Sequence, residues 1–213
     1  MKEMNITGIV GTCDSYLDLV PNYIKLFTKY SSLNPFLIIG ETQTLESIEV
    51  FTPGKKPWGE RLLNGLEHIN TKYILFTLED YYLQTPIDSY IKHSIDIMEN
   101  NDLDKISFIS NSHFRNYKLN PTNIDNFYLM DSDCSWLATL QMGIWKTQIF
   151  KDTLKPSYSP WDFEFKGRNY LMDKKCGVLD PNCELVFNFA RRGKTLSQGW
   201  EEFLNSENLT YKP

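Results

Sequence analysis

The sequence lacks most of the features that let function be read from composition alone. None of its 213 residues fall in a run near the roughly 20 apolar residues that a bilayer-spanning helix needs. The opening stretch, MKEMNITGIVGTCDSY, turns polar too soon after a short apolar run to serve as a secretory signal, so a cytoplasmic protein is expected. The four cysteines, Cys13, Cys134, Cys176 and Cys183, form no CxxC pair, which disfavours a zinc ribbon or a redox pair and favours reduced or buried thiols. Only three histidines are present, His68, His93 and His113, and their spacing resembles no zinc signature. Lys and Arg number 22 against 27 Asp and Glu, a formal charge of -5, which argues against a chain that blankets a nucleic-acid backbone and leaves room for a small phosphate-bearing ligand. Neither GxGxxG nor GxxxxGK[ST] occurs, and the spacing of Gly8 and Gly11 is too loose to replace them. There is no internal repeat and no low-complexity segment.

What is present is an apolar share of 41%, enough for a real core, and an aromatic share of 14% that calls for explanation. ITGIVGTC at 6–13 reads as a buried strand. Asp14 or Ser15 then leads into a helix carrying Leu17, Val20, Ile24 and Phe27, with Pro21 marking where the helix proper begins. Residues 34–41 supply a second strand, SIEVF a further short one, and Pro57 opens a helix with Trp58, Leu62, Leu66 and Ile69 on one face. YILFTL at 73–78 is the continuous apolar run of a central strand covered on both faces. A helix after Pro86 and a strand at 106–110 complete a β-α-β-α-β-α-β order. It predicts a three-layer, Rossmann-like α/β sandwich with a mostly parallel central sheet. The second half reads as a long loop at 111–126, strands at 127–130 and 135–145, and helices at 147–154 and 159–175. One or two closing strands follow, then a polar, surface-hugging tail. Length favours one domain, with a nucleotide-binding half at about 1–110 and an acceptor-side half at about 111–213.

Chemistry concentrates in a few places. Glu79-Asp80 closes the central strand, at the sheet edge where open α/β folds bind ligands. Two adjacent carboxylates repel one another unless a cation joins them, so the pair is either a Mg²⁺ or Mn²⁺ site or a solvated acidic turn. Asp162 and Glu164 lie in the first turn of a helix among Trp161, Phe163 and Phe165, where reduced solvation raises a carboxyl toward the range of a general base. Ser159-Pro160-Trp161-Asp162 has the pattern of a capping box, which occupies Asp162 and leaves Glu164 the better base. Arg61 is either an anion contact or a salt-bridge partner of Glu60 or Glu79. Arg191-Arg192-Gly193-Lys194 is either a clasp over a diphosphate or an ordinary surface turn. Tyr81, Tyr82, Trp136, Trp145 and Trp161 are candidates to stack on sugar rings or to fill core.

Taken together, TCDSY at 12–16, WGERL at 58–62, YILFTLEDYYL at 73–83, LQMGIW at 140–145 and SPWDFE at 159–164 give a chain that resembles small bacterial glycosyltransferases of the GT-A fold, of the surface-polysaccharide type. The resemblance implies a nucleotide-diphosphate sugar as donor and a saccharide or lipid-linked saccharide as acceptor, with the protein peripheral at the inner membrane face in the latter case. It implies that Thr12, Cys13, Asp14 and Tyr16 line the nucleotide pocket and that Arg61 helps hold the nucleotide; Arg192 and Lys194 of the basic cluster are the further expected contacts, by their charge. Asp80 would match the last acid of the DxD motif that carries Mn²⁺ or Mg²⁺, while Leu78 stands where the first aspartate would be and Glu79 would help through water or ribose. Aligning SPWDFE with the base-bearing helix of inverting members favours Asp162, with Arg168 further along, whereas local physics favours Glu164. The rival readings are a sugar-phosphate nucleotidyltransferase and a non-catalytic carbohydrate-binding scaffold. The glycosyltransferase reading requires Asp80 and at least one of Asp162 and Glu164 to share a cleft.

Overall fold

A computed structural model describes residues 5–34, 36–109, 117–180, 184–191 and 195–211. The chain begins with β1 (Ile6–Gly11), whose six residues are all buried. A 3-10 turn at Asp14–Leu19 follows, and then α1 (Val20–Tyr30) with Pro21 in its first turn, where a missing N–H costs nothing. β2 (Phe36–Ile39), α2 (Trp58–Leu66), β3 (Tyr73–Leu78), β4 (Tyr81–Leu83), α3 (Asp88–Asn101) and β5 (Lys105–Phe108) complete the first half. The stretch around SIEVF forms isolated bridges, Leu45 with Ile48 and Phe51 with Ile39, and no regular strand.

The second half supplies β6 (Leu119–Pro121), β7 (Phe127–Met130), β8 (Gly143–Lys146), α4 (Thr147–Thr153), α5 (Pro160–Leu171) and β9 (Cys176–Leu179). It closes with β10 (Val186–Asn188), β11 (Ala190–Arg191), β12 (Thr195–Leu196) and α6 (Trp200–Ser206). Eight strands form the main sheet in the order β2-β1-β3-β8-β5-β9-β7-β6.

This order corrects the expected mostly parallel sheet. Only β1–β2, β1–β3 and β5–β9 pair in parallel, whereas β3–β8, β5–β8, β7–β9 and β6–β7 are antiparallel. The sheet is mixed because β8 returns late and enters between β3 and β5, which the βαβ rhythm of the sequence would have placed side by side. Gly143 permits that entry, since a Cβ there would lie 2.7 Å from the Ile106 carbonyl oxygen. Most of the run expected as a strand at 135–145 is instead a series of turns leading to β8.

Two apolar clusters lie on opposite faces of the sheet, as the alternation of side chains along each strand requires. Ile6, Val10 and Leu75 pack with α1, α3 and α6 on one face, while Ile9, Ile74 and Phe76 pack with α2, α4 and α5 on the other. The C-terminal segment is not the surface tail its polarity predicts. Phe203, Leu204 and Leu209 are buried in the first cluster, and Thr210 accepts a hydrogen bond from the Asn22 side chain of α1.

The start of α2 is docked on the loop before α5. Gly59 and Glu60 donate their backbone N–H groups to the carbonyls of Tyr158 and Pro156 at 2.8 and 3.0 Å. A Cβ on residue 59 would stand 2.1 Å from the Lys155 carbonyl oxygen, so backbone would have to move. Gly59→Ala is therefore expected to cost about 2–4 kcal/mol of stability, well beyond a surface glycine-to-alanine change, as read by urea unfolding.

Candidate active site

The register of the three parallel strands builds the floor of the site. Gly11 of β1 is level with Ile39 of β2 and Leu78 of β3, so the strands end flush and the next residues, Thr12, Gly40 and Glu79, share one edge. Into this edge α2 inserts Arg61, which is only 6% exposed. Its Nη1 donates to the carbonyls of Thr12 and Gly40, each at 2.7 Å, satisfying backbone acceptors that the ends of two strands leave open. Charge-assisted bonds of this kind are worth about 1.5–3 kcal/mol each. Glu60, the other partner weighed for Arg61, pairs with Lys56 instead, and Arg61 acts on Glu79 by favouring its charged form.

A cleft of about 710 Å³ opens above this floor, lined by Thr12, Cys13, Tyr16, Arg61, Glu79 and Asp80 from the first half and by Trp161, Glu164 and Asn188 from the second. The structure therefore brings Asp80 and Glu164 together. Asp14, the remaining expected nucleotide contact, does not line the cleft. Its carboxylate accepts from the Thr42 hydroxyl and from the backbone N–H groups of Thr42 and Gln43, the latter two at 2.9 and 3.0 Å, contacts that fix the loop after β2 and hold the acid below its usual range. Arg192 and Lys194 lie outside the described residues.

The acids differ sharply in environment. Burial, and next the neighbouring Asp80, push the Glu79 carboxyl well above the ordinary carboxylate range. Burial likewise pushes Asp80 up to about 7, and its Oδ1 is buried with no partner among the described residues. Burial and the Glu79 charge raise the Cys13 thiol, so it stays protonated and is no nucleophile.

Asp162 and Glu164 separate in the manner expected from the capping box. Asp162 accepts from the Ser159 N–H at 3.1 Å and pairs with Lys166, contacts that hold it well below the carboxylate range, and it does not line the cleft. Glu164 is half-buried, accepts the Leu140 N–H on Oε1 at 2.9 Å, and is raised by burial. Of the two acids, Glu164 is the one that lines the cleft. Arg168 points away, donating to the Asp133 carbonyl at 3.0 Å.

Of the aromatic candidates, Tyr81 and Trp161 line the cleft. Tyr82 and Trp145 are wholly buried and belong to the core. Tyr82 donates to the Leu19 carbonyl and stacks on Phe189, while Trp145 packs against Phe150 and Phe163.

Two contributors escaped the sequence reading. Asn188 reaches the cleft because β10 pairs antiparallel with β4, setting Asn188 opposite Tyr81, and Phe189 donates its N–H to the Asp80 carbonyl at 2.7 Å. The signal was a lone asparagine inside the apolar run CELVFNFA. The second is Lys105, fully buried on β5, whose Nζ donates to the carbonyls of Leu137 and Thr139 at 2.6 and 3.3 Å and lies 4.2 Å from the Trp145 ring centre. Lys105 thereby fixes the turn whose next residue, Leu140, anchors Glu164.

Among the described residues no group of three or more His, Cys, Asp or Glu side chains converges on one point, and no helix is long and apolar enough to cross a membrane. No family model matches the chain, and no curated protein matches it. Solved structures do. Staphylococcus aureus TarS 1-349 in complex with UDP-GlcNAc is 13% identical with a TM-score of 0.61, over 95% of this chain and 65% of that one. The mannosyltransferase PcManGT from Pyrobaculum calidifontis, in complex with GDP-Man and Mn²⁺, is 10% identical with a TM-score of 0.60, over 98% of this chain and 66% of that one. A cytidylyltransferase from Leptospira borgpetersenii is 8% identical with a TM-score of 0.54, over 99% of this chain and 100% of that one. The chain spans 58% of another TarS 1-349 structure and 35% of a longer TarS chain. It shares the fold of these sugar- and nucleotide-transferring enzymes.

The buried ammonium of Lys105 is held to about 8, below its ordinary 10.5, chiefly by burial. Between these values the unfolded chain binds more protons than the folded one, so stability rises with pH across that window. Relative to Lys105→Met, which lacks the titrating group, the wild-type chain is expected to gain about 2 kcal/mol between about pH 7.5 and about pH 10 in urea unfolding.

Proposed function

We propose that the protein transfers a sugar from a nucleotide-diphosphate donor to a hydroxyl of a saccharide or lipid-linked saccharide, with inversion at the anomeric carbon. The observation that carries this reading is the meeting of Asp80 and Glu164, from opposite halves of the chain, in one cleft at the ends of parallel strands. The first half would hold the nucleotide and the second half the acceptor. Thr12, Cys13 and Tyr16 line the end of the cleft beside Arg61, the cationic side chain among its described lining residues.

An anionic diphosphate needs more positive charge than Arg61 supplies, because Glu79 and Asp80 sit beside it and Arg61 already serves two carbonyls. The buried Oδ1 of Asp80, which has no partner among the described residues, would suit a hard divalent cation of the Mg²⁺ or Mn²⁺ kind, with Glu79 beside it as a second carboxylate. Such an ion, when bound, supplies charge stabilisation for the departing diphosphate. In the transfer itself Glu164 accepts the proton of the acceptor hydroxyl. The hydroxyl oxygen bonds to the anomeric carbon as the bond from that carbon to the diphosphate oxygen breaks, and the electron pair leaves with the nucleoside diphosphate. Glu164 suits this task because burial raises it while the Leu140 N–H holds it in place.

Nucleotidyl transfer is the second reading, favoured by the end-to-end likeness to the Leptospira cytidylyltransferase. Against it, the 3-10 turn after β1 is TCDSYLDL, without the glycine- and lysine-rich loop such chemistry uses.

A panel of UDP-, GDP- and dTDP-sugars, titrated with and without Mn²⁺, tests the proposal, and CTP with sugar phosphates tests the alternative. Donor binding strengthened by Mn²⁺ is expected, and binding of no donor would overturn the transfer reading. Glu164→Gln should lower kcat by about 10²–10⁴-fold with donor affinity retained. Asp162→Asn should leave kcat within about threefold and lower the urea midpoint slightly through the weakened cap.

A further inference from the structure

A second cavity, of about 620 Å³, lies on the other side of Glu164. Tyr81, Glu164 and Asn188 line both cavities, so the two spaces meet at the candidate base. The linings differ in kind. The first cleft holds the Arg61 guanidinium, whereas the charged side chains among the described lining residues of the second are carboxylates, Glu164 and Glu184. The rest of its wall combines rings with amides. Tyr117 and Trp136, both half-buried, lie 6.3 Å apart and tilted by 34°, and Phe187 faces the same space. Gln84, Gln141 and Gln198 add side-chain amides, each with donors and an acceptor on one flat group.

We infer that this second cavity binds an uncharged saccharide, with Tyr117 and Trp136 as the platform for a sugar face and the glutamine amides as partners of its hydroxyls. Rings match the C–H face of a pyranose, and amides match neighbouring hydroxyls that each donate and accept. A phosphorylated or carboxylated ligand would instead meet the Glu164 carboxylate at close range. The volume lies within the roughly 300–1,000 Å³ of ordinary ligand sites. As the acceptor site of the reaction above, the assignment rests on the proposed function. As a glycan site it stands on its own lining, and it narrows the acceptor to one presenting uncharged sugar residues at the base.

The test uses the full chain and saturation-transfer NMR with cellobiose, lactose and N,N′-diacetylchitobiose, with sialyllactose as the anionic counterpart of lactose. At least one uncharged sugar should bind, and sialyllactose should bind about tenfold more weakly than lactose. Trp136→Ala should weaken the saccharide by about tenfold or more, and Gln198→Ala, at an exposed position that cannot unsettle the fold, by about threefold. Donor affinity should stay within about twofold in both variants. Binding of none of the uncharged sugars, equal or tighter binding of sialyllactose, or no response to either substitution would overturn the inference. Donor binding without saccharide binding sinks this inference alone, whereas saccharide binding without donor binding sinks the transfer reaction and leaves the glycan site in place.

Discussion

The Arg61 guanidinium is the interaction on which the rest of the site depends. Two strand ends, a helix start and a cleft floor converge on one buried cation, and its two carbonyl contacts hold Thr12 and Gly40 at the same level as Glu79. Its placement is possible only because α2 approaches the loop before α5 without a side chain at Gly59. The same approach brings the segment bearing Ser159, Pro160 and Glu164 over the strand edge. Removing the cation would leave two strand-end carbonyls in an apolar setting beside two acids already strained by burial, so one side chain serves both folding and electrostatics.

The acids of the site have divided roles because their surroundings differ, not their chemistry. Asp14 and Asp162 are saturated with hydrogen bonds and serve the backbone. Asp80 and Glu79 are desolvated, and burial raises both carboxyls. Glu164 stands between, fixed by a single backbone bond and open to two cavities. Lys105 stands behind it, since the turn that holds Glu164 is held in turn by that buried ammonium. The geometry of the cleft thus hangs on a chain of backbone carbonyls bound by two buried cations, Lys105 and Arg61.

Much of this was legible in the sequence, and the misses have physical causes. β1, β3, α2 and α5 carry local signals, continuous apolar runs, a proline at the helix start and a capping box, and these set where they begin, while β1, α2 and α5 stop short of the expected ends. The positions of Glu79, Asp80 and Glu164 follow from those local elements. The place of β8 does not, because GIWK reads as a strand in any register and only tertiary contacts decide that it runs antiparallel between β3 and β5. The tail was misjudged because Phe203, Leu204 and Leu209 are few among many charges, while the groove beside α1 that receives them cannot be seen from their own neighbourhood. Lys105 and Asn188 share that limit. A lysine in a strand reads as an edge charge until the turn it serves is folded over it, and the asparagine gains meaning only once β10 meets β4.

The insertion of β8 also orders the assembly of the sheet in time. β3 and β5 are made early but are joined in one sheet only when residues 143–146 pair between them. During synthesis from the N-terminus, β1, β2 and β3 can pair as soon as they emerge and β6 can pair with β7, while β5 is joined to β3 only through a strand encoded nearly forty residues later. The floor formed by β1, β2 and β3 is therefore a part of the protein that can form early. The seam along β8 is where two sub-sheets are joined by one short strand, whose Ile144 and Trp145 are fully buried.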